Sequence, residues 1–290
     1  MPKHAYLIMA HHRFDLLEEL LKDLDDSRND IFLHVDAKTA DFDADKTRRI
    51  VTKANLTIIP RMKVYWGGYS QIVCVMKLLE IASAYDYHAY YHFMVGVEFP
   101  LKSQDFIHDF FEKNSGKEFI GFDLADKNYM DRIKYFHIFN ECGRPWNFLS
   151  RKKNEYRERL VKLQMRLDID LLGKTRKQFM KGDACWSLTH DFVKFLLSQK
   201  PFVEKTFRHS FCGDEIFVHT ILYNSEFRDR VYDFDNEYHS CMRMHTWEDP
   251  KNQYHLKDVD ALLASGRLSA RKLDGLDGLQ AITEIRSRRE

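Results

Sequence analysis

Residues 5–36 run AYLIMAHHRFDLLEELLKDLDDSRNDIFLHVD, and their reading decides the fold. Ala5-Tyr6-Leu7-Ile8-Met9-Ala10 is apolar without alternation, the pattern of a strand buried on both faces inside a parallel sheet. Phe14, Leu16, Leu17, Leu20, Leu21 and Leu24 then recur at helical spacing. Ile31-Phe32-Leu33-His34-Val35-Asp36 is a second strand that finishes on a carboxylate. Strand, helix and strand in succession make a βαβ unit. Open α/β sheets bind ligands beyond the carboxyl ends of their strands, so His11, His12 and Asp36 fall at the binding edge. No glycine-rich phosphate loop follows the first strand, which argues against a dinucleotide-binding or P-loop protein. Adjacent strand residues point to opposite faces, so His11 and His12 make a poor metal chelate.

Working outward, Leu56–Ile59, Val64–Trp66, Tyr90–Val95 and Phe119–Asp123 read as further strands. Gly67-Gly68 turns the chain, and Ser70 reads as the cap of a helix through Ile72, Val75, Met76, Leu79 and Ile81. Gln104–Phe111 is helical. Residues 127–181 are less regular, apart from a basic amphipathic helix over Lys152–Arg166, whose default reading is a charged outer face. Gly182–Leu188 leads into a helix over Thr189–Leu197. In Ser210–Leu222, Gly213 reads as a sharp bend that sets Asp214 and Glu215 in the first turn of a buried helix. Carboxylates suit that turn electrostatically; the functional alternative is that one of them serves as a general base in a cleft. Two acidic runs resemble metal loops. Asp41–Asp45 reads as a solvated loop, and Asp233 with Asp235 as an Asp-x-Asp lying late in the chain.

The chain has 290 residues, 44% hydrophobic and 31% charged, enough for one large α/β domain without covalent staples. Its two halves are expected at about residues 1–125 and 126–290. A net charge of +1 argues against a dedicated nucleic-acid binder. The 14% aromatic content suits stacking on sugars or bases, although most of the Phe must be core. Five cysteines without a Cys-x-x-Cys unit suggest neither a disulfide frame nor a zinc site. With no signal-peptide pattern and no membrane-span run, the expected location is cytoplasmic, with peripheral association at the inner face of the membrane left open.

Several of these stretches, in this order, resemble glycosyltransferase family 14, the core-2/I-branching β-1,6-N-acetylglucosaminyltransferases and their xylosyltransferase relatives. They are Ala5–Leu17, His34–Lys38, Val64–Ser70, Gly96–Ser103, Gly182–Leu188, Cys212–Glu215, Arg243 with Trp247, and Ser269–Asp274. The resemblance implies a GT-A-type α/β fold, a mostly parallel central sheet flanked by helices. It also implies an inverting transfer from a UDP-sugar, GlcNAc or xylose, without a metal or other cofactor. Glu215 maps to the general base and Asp36 to the uridine contact, supported by Tyr65 or Trp66. Ala10, His11 and Ser70 join the donor site. Lys272, Arg271 and Lys251 stand where cations replace the metal at the diphosphate. Arg132, Tyr135, Trp186 and Trp247 are the expected acceptor contacts. The acceptor would be a glycan or lipid-linked oligosaccharide in polysaccharide biosynthesis, with no nucleic-acid partner. Against the animal enzymes, no membrane anchor or stem is expected, the cysteines do not reproduce their disulfides, and their acceptor loops have no clear counterpart. Two other readings compete: a metal-dependent transferase using Asp233 and Asp235, and a homologue that binds a UDP-sugar without turnover.

Overall fold

In the computed structural model, residues 2–126, 128–173, 175–246 and 252–289 are described. Five strands form the main sheet: β1 (Lys3–Ala10), β2 (Asn29–Val35), β3 (Asn55–Ile58), β4 (His88–Val95) and, numbered after β5 below, β6 (Trp186–Thr189). The remaining strands, β5 (Glu98–Pro100), β7 (Arg243–His245) and β8 (Ser269–Arg271), make a second, smaller sheet. The main order is β3-β2-β1-β4-β6 and the smaller one β5-β8-β7. All pairings of the main sheet are parallel except that of β6 with β4. This is the expected α/β architecture of a mostly parallel sheet flanked by helices.

The apolar run of β1 has its reason in this topology. β1 lies between β2 and β4, so alternate side chains enter two different cores. Ala5 and Leu7 pack with Phe32, Tyr91 and the helix Tyr69–Tyr85. Tyr6, Ile8 and Ala10 pack with Ile31, Leu33 and the helices Phe14–Leu24 and Gly278–Arg288. With no solvated face, alternation disappears from the sequence.

The two halves expected from the sequence share both sheets, since β6 completes the first and β5 belongs to the second. Several local expectations change. Val64–Trp66 is not a strand, and Phe119–Asp123 supplies only an isolated bridge, Phe119 to Ser187. Ser70 is not a cap: Gly68 is the N-cap, and Ser70 Oγ accepts from Tyr65 N at 2.9 Å. The acidic run at 41–45 is not all loop, because Asp43 caps the helix Ala44–Ile50 by accepting from Lys46 N at 2.8 Å. The basic helix starts earlier, at Phe148, where Asn147 and Ser150 form a reciprocal cap. All five cysteines are free thiols. Among the described residues, no helix is long and apolar enough to cross a membrane.

Candidate active site

A cleft of about 1560 Å³ opens beyond the carboxyl ends of β1, β2 and β4. One wall begins where β2 stops. Asp36, the next residue, donates its backbone N–H to Ala10 O at 2.9 Å, which ties the two strand ends together. Its carboxylate pairs with Lys38 Nζ at 2.8 Å and accepts from Lys38 N at 2.9 Å. The Lys38 ammonium in turn sits 4.2 Å from the centre of the Tyr65 ring. His11 and His12 lie past the end of β1, so they do not point to opposite faces as strand neighbours would: their ring centres are 4.2 Å apart at a tilt of 40°, and His12 Nε2 lies 3.3 Å from Asp274 Oδ2. Burial, with His12 beside it, lowers the His11 pKa to about 4, so this imidazole is neutral at pH 7.

Next to Tyr65, Trp66 is exposed and lines the same cleft. It stands edge-on to Phe211 at 5.5 Å, with the Arg144 guanidinium 4.6 Å from its ring centre. Lys272 also lines the cleft, and burial and then the Arg271 charge lower its pKa below the ordinary lysine value. Cations from three separate segments, Lys38, Arg144 and Lys272, thus share one cavity.

The far end of the cleft is built by the loop after residue 209. Gly67 has φ +73°, and a Cβ there would meet Phe211 Cε2 at 2.6 Å. Its carbonyl accepts from Cys212 N at 2.8 Å, clamping the loop to the start of the helix Tyr69–Tyr85. The left-handed residue of the bend is Cys212 (φ 50°), not Gly213. Gly213 is required for space instead, because a Cβ would lie 2.3 Å from Ser210 Oγ. Asp214 and Glu215 fall in a 3₁₀ turn, Gly213–Glu215, just ahead of the buried helix Phe217–Tyr223. They point differently. Asp214 Oδ2 accepts from Gln71 Nε2 at 3.0 Å, while its Oδ1 is shielded and without a partner among the described residues. Burial first, and the Glu215 charge second, raise the Asp214 pKa to about 7. Glu215 is a third exposed and accepts from Arg132 Nη1 at 2.6 Å.

The floor holds a second arginine–carboxylate pair. Asp183 accepts from Arg271 Nη2 at 2.8 Å and from Cys185 N at 2.8 Å, with His245 Nδ1 at 3.4 Å. Burial pushes the Asp183 carboxyl up, but the Arg271 charge and the His245 hydrogen bond outweigh it and hold it well below the usual range. Asp183 N also donates to Glu237 Oε1 at 2.8 Å, and burial raises Glu237 to about 7.

The structure brings most of the expected site residues to this cleft. Ala10, His11, Asp36, Tyr65 and Trp66 line it near the ends of β1 and β2, and Arg132 and Glu215 line its far end. Trp186 contributes to the floor, stacked on Phe93 at 5.3 Å and almost fully buried. Arg271 lines the floor as well, but its guanidinium is committed to Asp183, so it supports Lys272 more directly than it faces a ligand. Two residues are placed elsewhere. Ser70 is used up between Tyr65 N and Glu141, to which its hydroxyl donates at 2.5 Å, and Tyr135 is buried away from the cleft. Trp247 and Lys251 lie outside the described residues. Arg243 is internal: it donates to Glu98 Oε1 at 3.0 Å within the smaller sheet and to Trp186 O at 3.1 Å on the main one. Asp233 and Asp235 do not line the cleft, and Asp233 Oδ2 is engaged by His239 Nδ1 at 2.5 Å. Among the described residues, no group of three or more His, Cys, Asp or Glu is arranged to hold a metal ion.

Lys38, Arg144, Lys181 and Asp183 escaped the sequence reading. Lys38 and Asp183 sit inside stretches singled out above, so motif membership was available as a signal. Lys181, bound to Asp123 at 2.8 Å and Asp126 at 3.1 Å, immediately precedes one of them. Arg144 had no signal at all.

No curated protein matches the chain in sequence. Among solved structures, mouse xyloside xylosyltransferase 1 (apo form) is similar at 9% identity and a TM-score of 0.38, over 92% of this chain and 97% of that one. The apo-form glycosyltransferase GlyE of Streptococcus pneumoniae TIGR4 is similar at 13% identity and a TM-score of 0.37, over 99% of this chain and 64% of that one. TarS of S. aureus aligns at 12% identity and a TM-score of 0.31, over 47% of this chain; the alignment spans 24% of the TarS chain. The sequence model of the Core-2/I-Branching enzyme family matches residues 4–264, and the chain therefore belongs to that family of glycosyltransferases.

Proposed function

We propose that this glycosyltransferase moves a sugar, GlcNAc first among the candidates, from a UDP-sugar to a glycan hydroxyl with inversion, and that Glu215 is the general base. The observation that carries the reading is the cleft itself. It sets an accessible carboxylate, Glu215, at one end and Asp36 with the cations Lys38, Arg144 and Lys272 along its walls. An inverting transfer is a single in-line displacement at the anomeric carbon. The acceptor oxygen attacks as Glu215 takes its proton, and the bond to the UDP oxygen breaks. Negative charge develops on the leaving diphosphate, where cations fixed in a partly buried wall act more strongly than they would in water. Lys272 and Arg144 fill that role, with Arg271 holding the strand end that carries Lys272. Asp36 and Tyr65 receive the uridine.

Arg132 occupies Glu215 Oε2, and the acceptor hydroxyl would share that carboxylate. Because the pair is accessible to solvent, its exchange is cheap. The test is UDP release from a panel of UDP-sugars, with and without EDTA, for wild type and Glu215→Gln. Turnover should survive EDTA and fall about 10²–10⁴-fold in the variant, with UDP binding retained. Turnover that requires Mn²⁺ and ignores the Glu215 change would overturn the reading.

A further inference from the structure

The segment running from the cleft lip into the helix Phe148–Arg166 differs from the rest of the molecule in both charge and exposure. Over residues 144–166 there are eight basic residues against two acidic ones, in a chain whose net charge is only +1. The remainder of the protein is therefore net acidic. The same segment exposes large apolar side chains that a soluble face would not normally display: Trp146 is 78% and Phe148 77% accessible, and Leu149, Tyr156 and Leu163 are exposed too.

These residues have an order. Leu149, Lys152, Tyr156, Arg159, Leu163 and Arg166 follow one another at alternating spacings of three and four, so they form a single stripe along the helix in which apolar and cationic side chains alternate. All six are exposed. The helix holds this stripe outward because other positions dock it to the body. Arg157 is buried with its guanidinium 3.9 Å from the centre of the Phe211 ring, and Gln164 Nε2 donates to Phe136 O at 2.9 Å. Phe211 packs against Trp66, and Arg144 and Trp146 both line the cleft, so the stripe continues into the mouth of the site.

We propose that this surface docks the enzyme on an anionic lipid bilayer, with the cleft mouth at the membrane, and that the acceptor is a lipid-linked glycan. Alternating aromatic or aliphatic groups with Lys and Arg is the chemistry of an interfacial helix. The rings and stems enter the headgroup boundary while the cations meet lipid phosphates. A protein interface fits less well, because its centre is depleted in Lys and in unpaired charge. A second copy using the same face would set Lys152, Arg159 and Arg166 against themselves. The acceptor class rests on the transfer proposed above, whereas the docking does not.

Sedimentation of the full chain with vesicles tests it, using phosphatidylcholine alone and phosphatidylcholine with about one third phosphatidylglycerol. Wild type should pellet with the anionic vesicles only, and less so as salt is raised. Phe148→Ser with Leu149→Ser, and separately Lys152→Glu with Arg159→Glu, should each weaken that binding on the order of tenfold or more. UDP release to a soluble acceptor should stay unchanged in both, as should the melting temperature, since these side chains are exposed. Vesicle binding is read without donor, so its outcome is independent of the catalytic reading. Wild type remaining in the supernatant, or binding that ignores both variants, would overturn the proposal. So would a dimer, seen by analytical ultracentrifugation, that these variants dissociate, because a second copy would then be the occupant.

Discussion

Arg271 holds Asp183 at 2.8 Å on the floor of the cleft, and Arg132 holds Glu215 at 2.6 Å where solvent reaches it. The two pairs have the same chemistry and nearly the same length. They differ in surroundings: the side chains of the first are 13% and 4% accessible, those of the second 32% and 35%. In the floor, each charge has lost its water and depends on the other, so the pair behaves as architecture. At the far end, water can replace either partner, so the pair is a resting contact that a substrate can enter. The contrast shows how one cleft can keep a rigid frame and a chemically available carboxylate close together in space though far apart along the chain, since Asp183 follows Gly182, whose N–H donates to Glu215 O at 3.0 Å.

The largest effect that would break this contrast is on the floor. Asp183→Ala strands the Arg271 guanidinium and should destabilise the fold by about 3–5 kcal/mol, read as a lower urea midpoint at unchanged slope. A loss below about 1 kcal/mol would mean the floor pair is no more structural than the exposed one.

Asp214 sharpens the comparison within a single turn, since one of its carboxylate oxygens is shielded from water where Glu215 is a third exposed. Its folded-state pKa is raised to about 7 from an ordinary carboxylate value. Between about pH 4 and 7 the folded state therefore keeps a proton that the unfolded state has lost, and its contribution to stability falls as pH rises through that window. Below it, both states are protonated, and above it both are ionised. The difference in urea stability between wild type and Asp214→Asn should thus shift against wild type by at most about 1.4 kcal/mol per pH unit across the window. Glu237, raised in the same direction, is common to both proteins and cancels. A flat difference would mean that Asp214 titrates like an exposed carboxylate.

The smallest effect is expected at Arg132. Arg132→Ala should change stability by only about 0–1 kcal/mol, measured by the same denaturation. A loss near that of Asp183→Ala would place the Arg132–Glu215 pair with the floor and argue against its being open to exchange.

Much of the frame was legible beforehand. The unbroken apolar run at residues 5–10 predicted a central strand, because burial on both faces erases alternation, and β1 lies between two parallel neighbours. The leucine stripe from Leu16 to Leu24 predicted its helix for an equally local reason. Short pieces were harder. Val64–Trp66 has strand-like residues, but an aromatic pair can also line a cavity from an irregular segment, as Tyr65 and Trp66 do. Residues 186–189 read only as an approach to a helix, since four residues carry too little periodicity to announce the antiparallel edge strand β6. Ser70 had the residue type and position of a cap, yet Glu141, 71 residues away, claimed its hydroxyl.

By itself the sequence determined the βαβ start, the strand ends of β1 and β2 beyond which the cleft opens, and the position of the bend before Asp214 and Glu215, because each is written in local periodicity or in contiguous motifs. Only the tertiary structure decided which of those two carboxylates has an oxygen shielded from water, which arginine each acidic partner receives, and which cations gather in the cleft. Arg132 and Glu215 are 83 residues apart, and Arg271 and Asp183 are 88. The physical reason is that a local pattern encodes how much of a side chain is removed from water. The partner that compensates a buried charge comes from distant chain, through the packing of the two sheets and the loop that closes over them.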